Sequence, residues 1–193
     1  SANPVAMSTI TFRQANHADI PSIVSLVESA YRGDASRVGW TTEANILEGQ
    51  RIDAEGVRTA IDLPNSLVLL ASASTPSTGS GAEFSGTNSL LACCHLEKKD
   101  QAVYFGMFSV KPASQGTGIG KAVLVEAERL AISLWQCQRM EMTVIDIRDE
   151  LIAFYIRHGY RRTGKHLPFP YGDERFGIPL RDDLRFEVLE KQL

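Results

Sequence analysis

The spacing of apolar residues changes several times along the chain, and each change marks an element. Ile10 to Arg13 reads as a short strand. Ile20, Ile23, Val24, Val27 and Tyr31 fall at helical spacing with Pro21 in the first turn, which predicts a helix over Asp19–Tyr31. A polar stretch from Arg32 to Asp53 follows, with Gly33 and Gly39 as turn signals. Within it Thr41 or Thr42 is placed to cap a helix carrying Ile46 and Leu47. An amphipathic piece over Val57–Ile61 stops before Pro64 and Asn65. The run Ser66–Ser72 is continuously apolar, as expected of a strand covered on both faces. Ser74–Ser89, rich in Ser, Thr and Gly, reads as a surface hairpin loop.

The second half keeps alternating between the two periods. Leu90–Glu97 is a strand that turns at Lys98–Asp100 into an alternating run, Tyr104–Val110. A helix follows with Ile119, Val123, Ala127, Leu130 and Leu134 as its buried stripe. Met140, Met142 and Val144 alternate with polar residues and predict another strand. Asp149–His158 reads as a helix with Leu151, Ile152, Tyr155 and Ile156 inward, ended by Gly159. Tyr160–Thr163 is a strand candidate. A loop rich in proline and aromatics then leads to a last strand with Leu184, Phe186 and Val188 inward. Leading helices, an antiparallel middle and a βαβ back half predict a mixed α+β or α/β architecture around a sheet of about seven strands.

Composition narrows the function classes. At 193 residues and 44% hydrophobic content, one domain with a sizeable core is expected. Ser1–Ala6, before Met7, read as a cloning remnant, which leaves residues 7–193 as that domain. A net charge of −3 gives no reason to expect nucleic acid or an anionic membrane as partner. No apolar run approaches the ~20 residues of a membrane span. Cys93, Cys94 and Cys137 contain no CxxC pair, so buried free thiols in a reducing, cytoplasmic setting are expected in place of a disulfide framework or a metal site.

The chemistry concentrates in YFGMFSVKPASQGTGIGKAVL, Tyr104–Leu124. A strand, a glycine-rich turn and a helix start make an anion site from backbone alone. First-turn amides lack partners inside the helix, and its dipole adds positive charge there. Only three residues separate Gly116 from Gly120-Lys121, and Ala122 follows, so a Walker loop does not fit; GxGxxG fails in both registers. What fits is Q-x-x-G-x-G, as Gln115, Gly118 and Gly120, after a strand ending in Val110-Lys111-Pro112. This resembles the acetyl-CoA motif of the GCN5-related N-acetyltransferases. Phe154-Tyr155 followed by Gly159-Tyr160 is similar to a second segment of that family, and the likeness extends over nearly the whole chain after Met7. The LIAFY-GYRRTG and PFPYGDERFG phrases are similar to a microbial subgroup.

The resemblance implies a sheet of the acyl-CoA N-acyltransferase kind, mixed but mostly antiparallel and flanked by helices, with acetyl-CoA as cosubstrate. Main-chain groups of Phe108, Ser109 and Val110 would meet the pantetheine arm. The amides of Gln115, Gly116, Thr117, Gly118, Ile119, Gly120 and Lys121 would hold the pyrophosphate, with Phe154 packed nearby. Tyr155 is the expected general acid, since a phenol's ordinary pKa near ~10 suits protonation of a departing thiolate. Arg148 stands where the family often has a cofactor-contacting Asn; it is expected to reach a phosphate or pair with an acid. Glu43 is the preferred general base among Glu43, Asp34, Glu97, Asp146 and His95. Tyr31, Trp40 and Glu43 are expected beside the acceptor, with Tyr171 and Phe176 closing the pocket. Cys93 and Cys94 lie in an apolar strand, which favours direct transfer in a ternary complex over a cysteine-bound acetyl group. The expected acceptor is a small molecule with a primary amine. A peptide or protein acceptor, or a CoA-binding sensor without catalysis, is the alternative. Family members often form homodimers.

Overall fold

The computed structural model describes residues 9–31, 47–48, 52–74, 90–173 and 178–193. In chain order its elements are β1 (Thr9–Gln14), α1 (Ile20–Tyr31), β2 (Leu47–Glu48), α2 (Ala54–Asp62), β3 (Ser66–Ser74), β4 (Leu90–Lys99) and β5 (Ala102–Val110). Then come α3 (Ile119–Trp135), β6 (Arg139–Ile145), α4 (Asp149–Arg157), β7 (Arg161–Pro168), β8 (Ile178–Pro179) and β9 (Arg185–Gln192). A seven-stranded sheet runs β1-β3-β4-β5-β6-β9-β7, and β2 pairs with β8 apart from it. Among the described strand pairs of this sheet only β5 and β6 are parallel, because α3 carries the chain back between them; the others are antiparallel. The expected mixed, mostly antiparallel sheet is thus present.

The apolar run in β3 is explained by what covers it. Leu67, Leu69 and Ala71 enter the core that α3 and α4 close, together with Phe105, Leu124 and Met142. Val68 and Leu70 enter the opposite core, against Ile23, Val27 and Val57 of α1 and α2. Both faces of the sheet are therefore buried at its centre. The helix starts are capped as their sequences allow. Asn16 and Asp19 form a reciprocal box before α1, and the Asp53 carboxylate accepts from the Gly56 amide at 2.8 Å before α2.

Four expectations need correction. Leu47 lies in a strand paired with Pro179, not in a helix, because its partners come from the distant β8 segment. In α3, Leu124 and Ala131 are buried while Leu134 is 44% exposed: Ile132–Leu134 are all exposed, and it is Trp135, one residue on, that packs against the core. In α4, Phe154 is buried and Ile156 exposed, because the helical angle places Phe154 beside Leu151 and rotates Ile156 away. In β9, Glu187 and Leu189 are the fully buried residues, with Phe186 and Val188 half-buried on the other face. Arg162 of β7 meets Glu187 through two bonds of 3.0 and 2.6 Å, which makes a carboxylate tolerable there.

Candidate active site

The site begins with a defect in the sheet. Cys93 faces Ser109 and His95 faces Gly106, so Met107 and Phe108 together oppose Cys94. This bulge puts Met107 at φ +50°. On its other edge, β5 pairs with β6 only at Val103–Met140 and Tyr104–Glu141. Beyond Tyr104 the two parallel strands separate, and cavities open along β5.

The first cavity, about 420 Å³, lies between the separated strands and is lined by Tyr31, Phe108, Thr143, Arg148 and Tyr155 among others. Tyr31 is buried at the end of α1 and its hydroxyl donates to the Phe108 carbonyl, which ties the bulged strand to the helix. The Arg148 guanidinium lies 5.4 Å from the centre of the Tyr31 ring and is only 8% exposed as a residue. Tyr155 is fixed by aromatic neighbours, with ring centres 5.5 Å from Phe154, 5.9 Å from Tyr160 and 6.2 Å from Phe108. Burial raises its phenol well above the ordinary range; Tyr31 pushes the same way and the Arg148 charge opposes. Tyr155 is therefore a proton holder at neutral pH, suited to donate and not to abstract.

The second cavity, about 560 Å³, starts where the first ends, at Val110, and is lined by Gln115, Gly116, Gly118, Gly120 and Lys121. The Gln115 amide donates to the Val110 carbonyl at 3.1 Å and pins the loop to the strand. Gly116 and Gly118 adopt φ of +82° and +90° with open space where a Cβ would stand, so conformation and not crowding calls for glycine. The first amide bond of α3 runs from Ala122 to the Gly118 carbonyl, which leaves the amides of Ile119, Gly120 and Lys121 without helical partners. Thr117 turns its hydroxyl back to the Ser114 carbonyl. A β-carbon on Gly120 would sit 3.4 Å from both Phe108 and Phe154, whose stacked rings form the wall between the cavities. Unpartnered amides, a helix dipole and the Lys121 ammonium fit a diphosphate. Sequence reasoning missed Arg157 and His158, which line the same cavity from α4 with Phe154. Their spacing of three and four residues from Phe154 was the available signal.

The remaining candidates separate. Ser109 is fully buried and its hydroxyl turns back to the Met107 carbonyl at 3.3 Å. His95 sits outside both cavities, 2.7 Å from the Ser66 hydroxyl, and burial lowers its pKa. Asp146 is ion-paired with Arg185. Glu97 faces Tyr104 across the ladder and lines neither cavity. Tyr171 holds a loop together, its hydroxyl donating to the Arg181 carbonyl at 3.1 Å and accepting from the Leu184 amide at 2.8 Å. Its ring supports Phe169, which does line the first cavity. Asp34, Trp40, Glu43 and Phe176 lie outside the described residues. Burial pushes the Cys93 thiol up to about 12 and Cys94 well above its ordinary value, so neither is a ready nucleophile. No cluster of metal-ligating side chains and no helix long and apolar enough to cross a membrane occurs among the described residues.

Residues 82–162 match the family model of the acetyltransferase (GNAT) domain. The sequence matches no curated protein. Among solved structures, the chain resembles a candidate phosphinothricin N-acetyltransferase at TM-score 0.65 and 16% identity, over 96% of this chain and 99% of that one. It resembles a point variant of the spermidine N-acetyltransferase SpeG from Vibrio cholerae at 0.64 and 13%, over 96% and 94%. It is also similar to an IAA acetyltransferase from Bacillus cereus at 0.59 and 18%, over 96% and 100%. At these identities the structures speak to the fold alone. The domain match spans the glycine loop and the Tyr155 helix, so residues 82–162 carry the acetyltransferase (GNAT) domain signature, on a chain whose fold is that of the N-acetyltransferases it resembles.

Proposed function

We infer that the protein moves an acetyl group from acetyl-CoA directly to a primary amine, with the second cavity holding the cosubstrate's phosphates and the first holding the reacting groups. The observation that carries this reading is the order of parts along one bulged strand: Tyr155 beside Phe108, then the glycine loop beyond Val110. Acetyl-CoA supplies an acetyl thioester, with an electrophilic carbonyl carbon and a thiolate leaving group. The amides of Ile119, Gly120 and Lys121 would hold its diphosphate, and the Lys121 and Arg157 side chains add positive charge along the way. Tyr155 retains its proton until the sulfur departs and then donates it. A small acceptor is favoured by a first cavity of about 420 Å³, within the size range of small-molecule sites.

The direct test is release of free thiol from acetyl-CoA in the presence of small amines, amino acids and short peptides, with acetyl-CoA affinity measured in parallel. Acceleration by one class of small amine supports the reading. Acceleration by peptides alone moves the acceptor to a protein chain. Binding of acetyl-CoA with no acceleration by any amine favours a sensor, and absence of binding removes the proposal.

A further inference from the structure

Resting on the acetyl-transfer reading, we propose that the Tyr104 and Thr143 hydroxyls seat the acceptor's primary amine. Ile145, Phe169 and Phe186 seat the rest of it, which makes the acceptor a small monoamine with an apolar body. The β5–β6 ladder ends at Tyr104–Glu141. Thr143, two residues past Glu141, shares its face of the strand, and its hydroxyl meets that of Tyr104 at 3.2 Å across the opening strands. Both residues line the first cavity. Two hydroxyls carry two protons and four lone pairs, and one proton lies between them. No other bond joins either hydroxyl to the described residues, so three lone pairs and one proton remain for a ligand. The N–H groups of a primary amine suit those lone pairs, and the nitrogen's own pair stays free to attack the thioester carbonyl. The Tyr104 ring is set before a ligand arrives. The Lys99 ammonium lies 4.9 Å from its centre, and a Cβ on Gly106 would come within 2.6 Å of it. Tyr104 also pushes the Tyr155 pKa up, so the two phenols share one field beside the reacting groups. The pair takes up no proton; it orients the nitrogen.

The strand itself measures the acceptor. Ile145 is the next residue on Thr143's face of β6, roughly 7 Å further along at the rise of a strand. Phe186 of β9 stands opposite Ile145, and Phe169 stacks on Phe186 with ring centres 5.6 Å apart. Tyr171 braces Phe169 from outside, so this apolar wall is also held in place in advance. All three wall residues line the first cavity with the hydroxyl pair. A nitrogen joined by two carbons to a ring or a branched alkyl group spans that step. A polyamine would instead press a second ammonium against hydrocarbon and lose its hydration there. Arg148 has contacts of its own and takes no part in this assignment.

The test measures thiol release with phenethylamine, isopentylamine, ethylamine and spermidine. The proteins are wild type, Tyr104→Phe, Thr143→Val, the double variant and Phe169→Ala. The wild type should favour phenethylamine and isopentylamine over ethylamine by at least about tenfold in kcat/KM, since each buried methylene is worth about fourfold. Each hydroxyl variant should lower kcat/KM about three- to tenfold for every primary amine, with acetyl-CoA affinity unchanged. Because the hydroxyls act as a pair, the double variant should lose about as much as the worse single one. Phe169→Ala should shrink the phenethylamine preference at least about threefold and leave the effect of Thr143→Val in place. If Phe169→Ala does not fold, the wild-type ratio and the hydroxyl variants decide. Preference for spermidine or ethylamine, hydroxyl variants with wild-type kcat/KM, or losses that multiply in the double variant overturn the proposal. Calorimetric titration of the CoA-saturated protein with phenethylamine separates this inference from the transfer reading. Binding that weakens in Thr143→Val, without thiol release, would remove transfer and keep the amine seat. Thiol release that ignores both hydroxyls would do the reverse.

Discussion

The two cavities share a wall of Phe108 and Phe154 but are built from different materials. The second is mainly backbone: its loop glycines sit at positive φ and the first amides of α3 point outward. The first is side chain throughout its chemistry, with Tyr155, Arg148 and Tyr31 brought together from two helices and a loop. A backbone site is sensitive to conformation and indifferent to most side-chain chemistry. A side-chain site is the reverse. The contrast predicts that binding and turnover can be lost separately.

The largest effect should come from Tyr155→Phe, which removes one oxygen and keeps the ring packing. Turnover should fall by roughly 10²–10⁴-fold, the usual contribution of a general acid, while acetyl-CoA affinity stays within about twofold. Because burial raises the Tyr155 pKa, its proton stays in place from neutral pH up to the ordinary phenol range. The wild-type rate should therefore rise with pH as the amine deprotonates, with no fall from Tyr155 below about pH 10. A descending limb near neutrality would remove Tyr155 from the role.

Glu187 tests stability without touching either cavity. The residue is 3% exposed, and its carboxylate is held by Arg162, with His166 at 3.3 Å. Glu187→Ala should cost about 1–3 kcal/mol in denaturant unfolding and leave acetyl-CoA affinity unchanged. The Arg162 hydrogen bonds hold the Glu187 pKa below the ordinary carboxylate range. That stabilisation is complete above the ordinary range and disappears as pH falls through the lowered value. The acid limb of the wild-type stability profile should accordingly flatten in the variant.

Gly118→Val should cost about 1–2 kcal/mol of stability, because φ +90° is poorly tolerated by a β-branched residue, and should weaken acetyl-CoA binding. Gly118→Asn, a residue more at ease in left-handed backbone, should retain more of both. Equal loss in the two variants would point to space and not conformation. The smallest effect belongs to Lys121→Ala: a few-fold weaker acetyl-CoA binding that shrinks further as salt is raised, the mark of an exposed charge.

Legibility in the sequence followed the same division. The glycine loop is local, so spacing after an alternating strand was enough to place Gln115, Gly118 and Gly120. The two-sided burial of β3 was equally plain, since five successive residues, Leu67–Ala71, are all buried. Glu187 was opaque: an inward carboxylate reads as an error in a strand pattern until Arg162, 25 residues earlier, is placed beside it. Arg148, for which the sequence leaves open a phosphate or an acid as partner, lines the cavity with Tyr31 and Tyr155 and not the one with the glycine loop. Only the separation of β5 from β6, a tertiary event, decides which side it faces. Leu47 has helical spacing with its neighbours and shows its strand character only beside Pro179, far away in sequence.

The most direct test of the central claim is a crossed measurement of acetyl-CoA dissociation constant and single-turnover thiol release on Tyr155→Phe and Gly118→Val. The account predicts that Tyr155→Phe binds like wild type and turns over slowly. Gly118→Val should bind weakly yet recover much of the wild-type rate when acetyl-CoA saturates it. A Tyr155→Phe variant with near-normal single-turnover rate would contradict the account, as would a Gly118→Val variant with unchanged affinity.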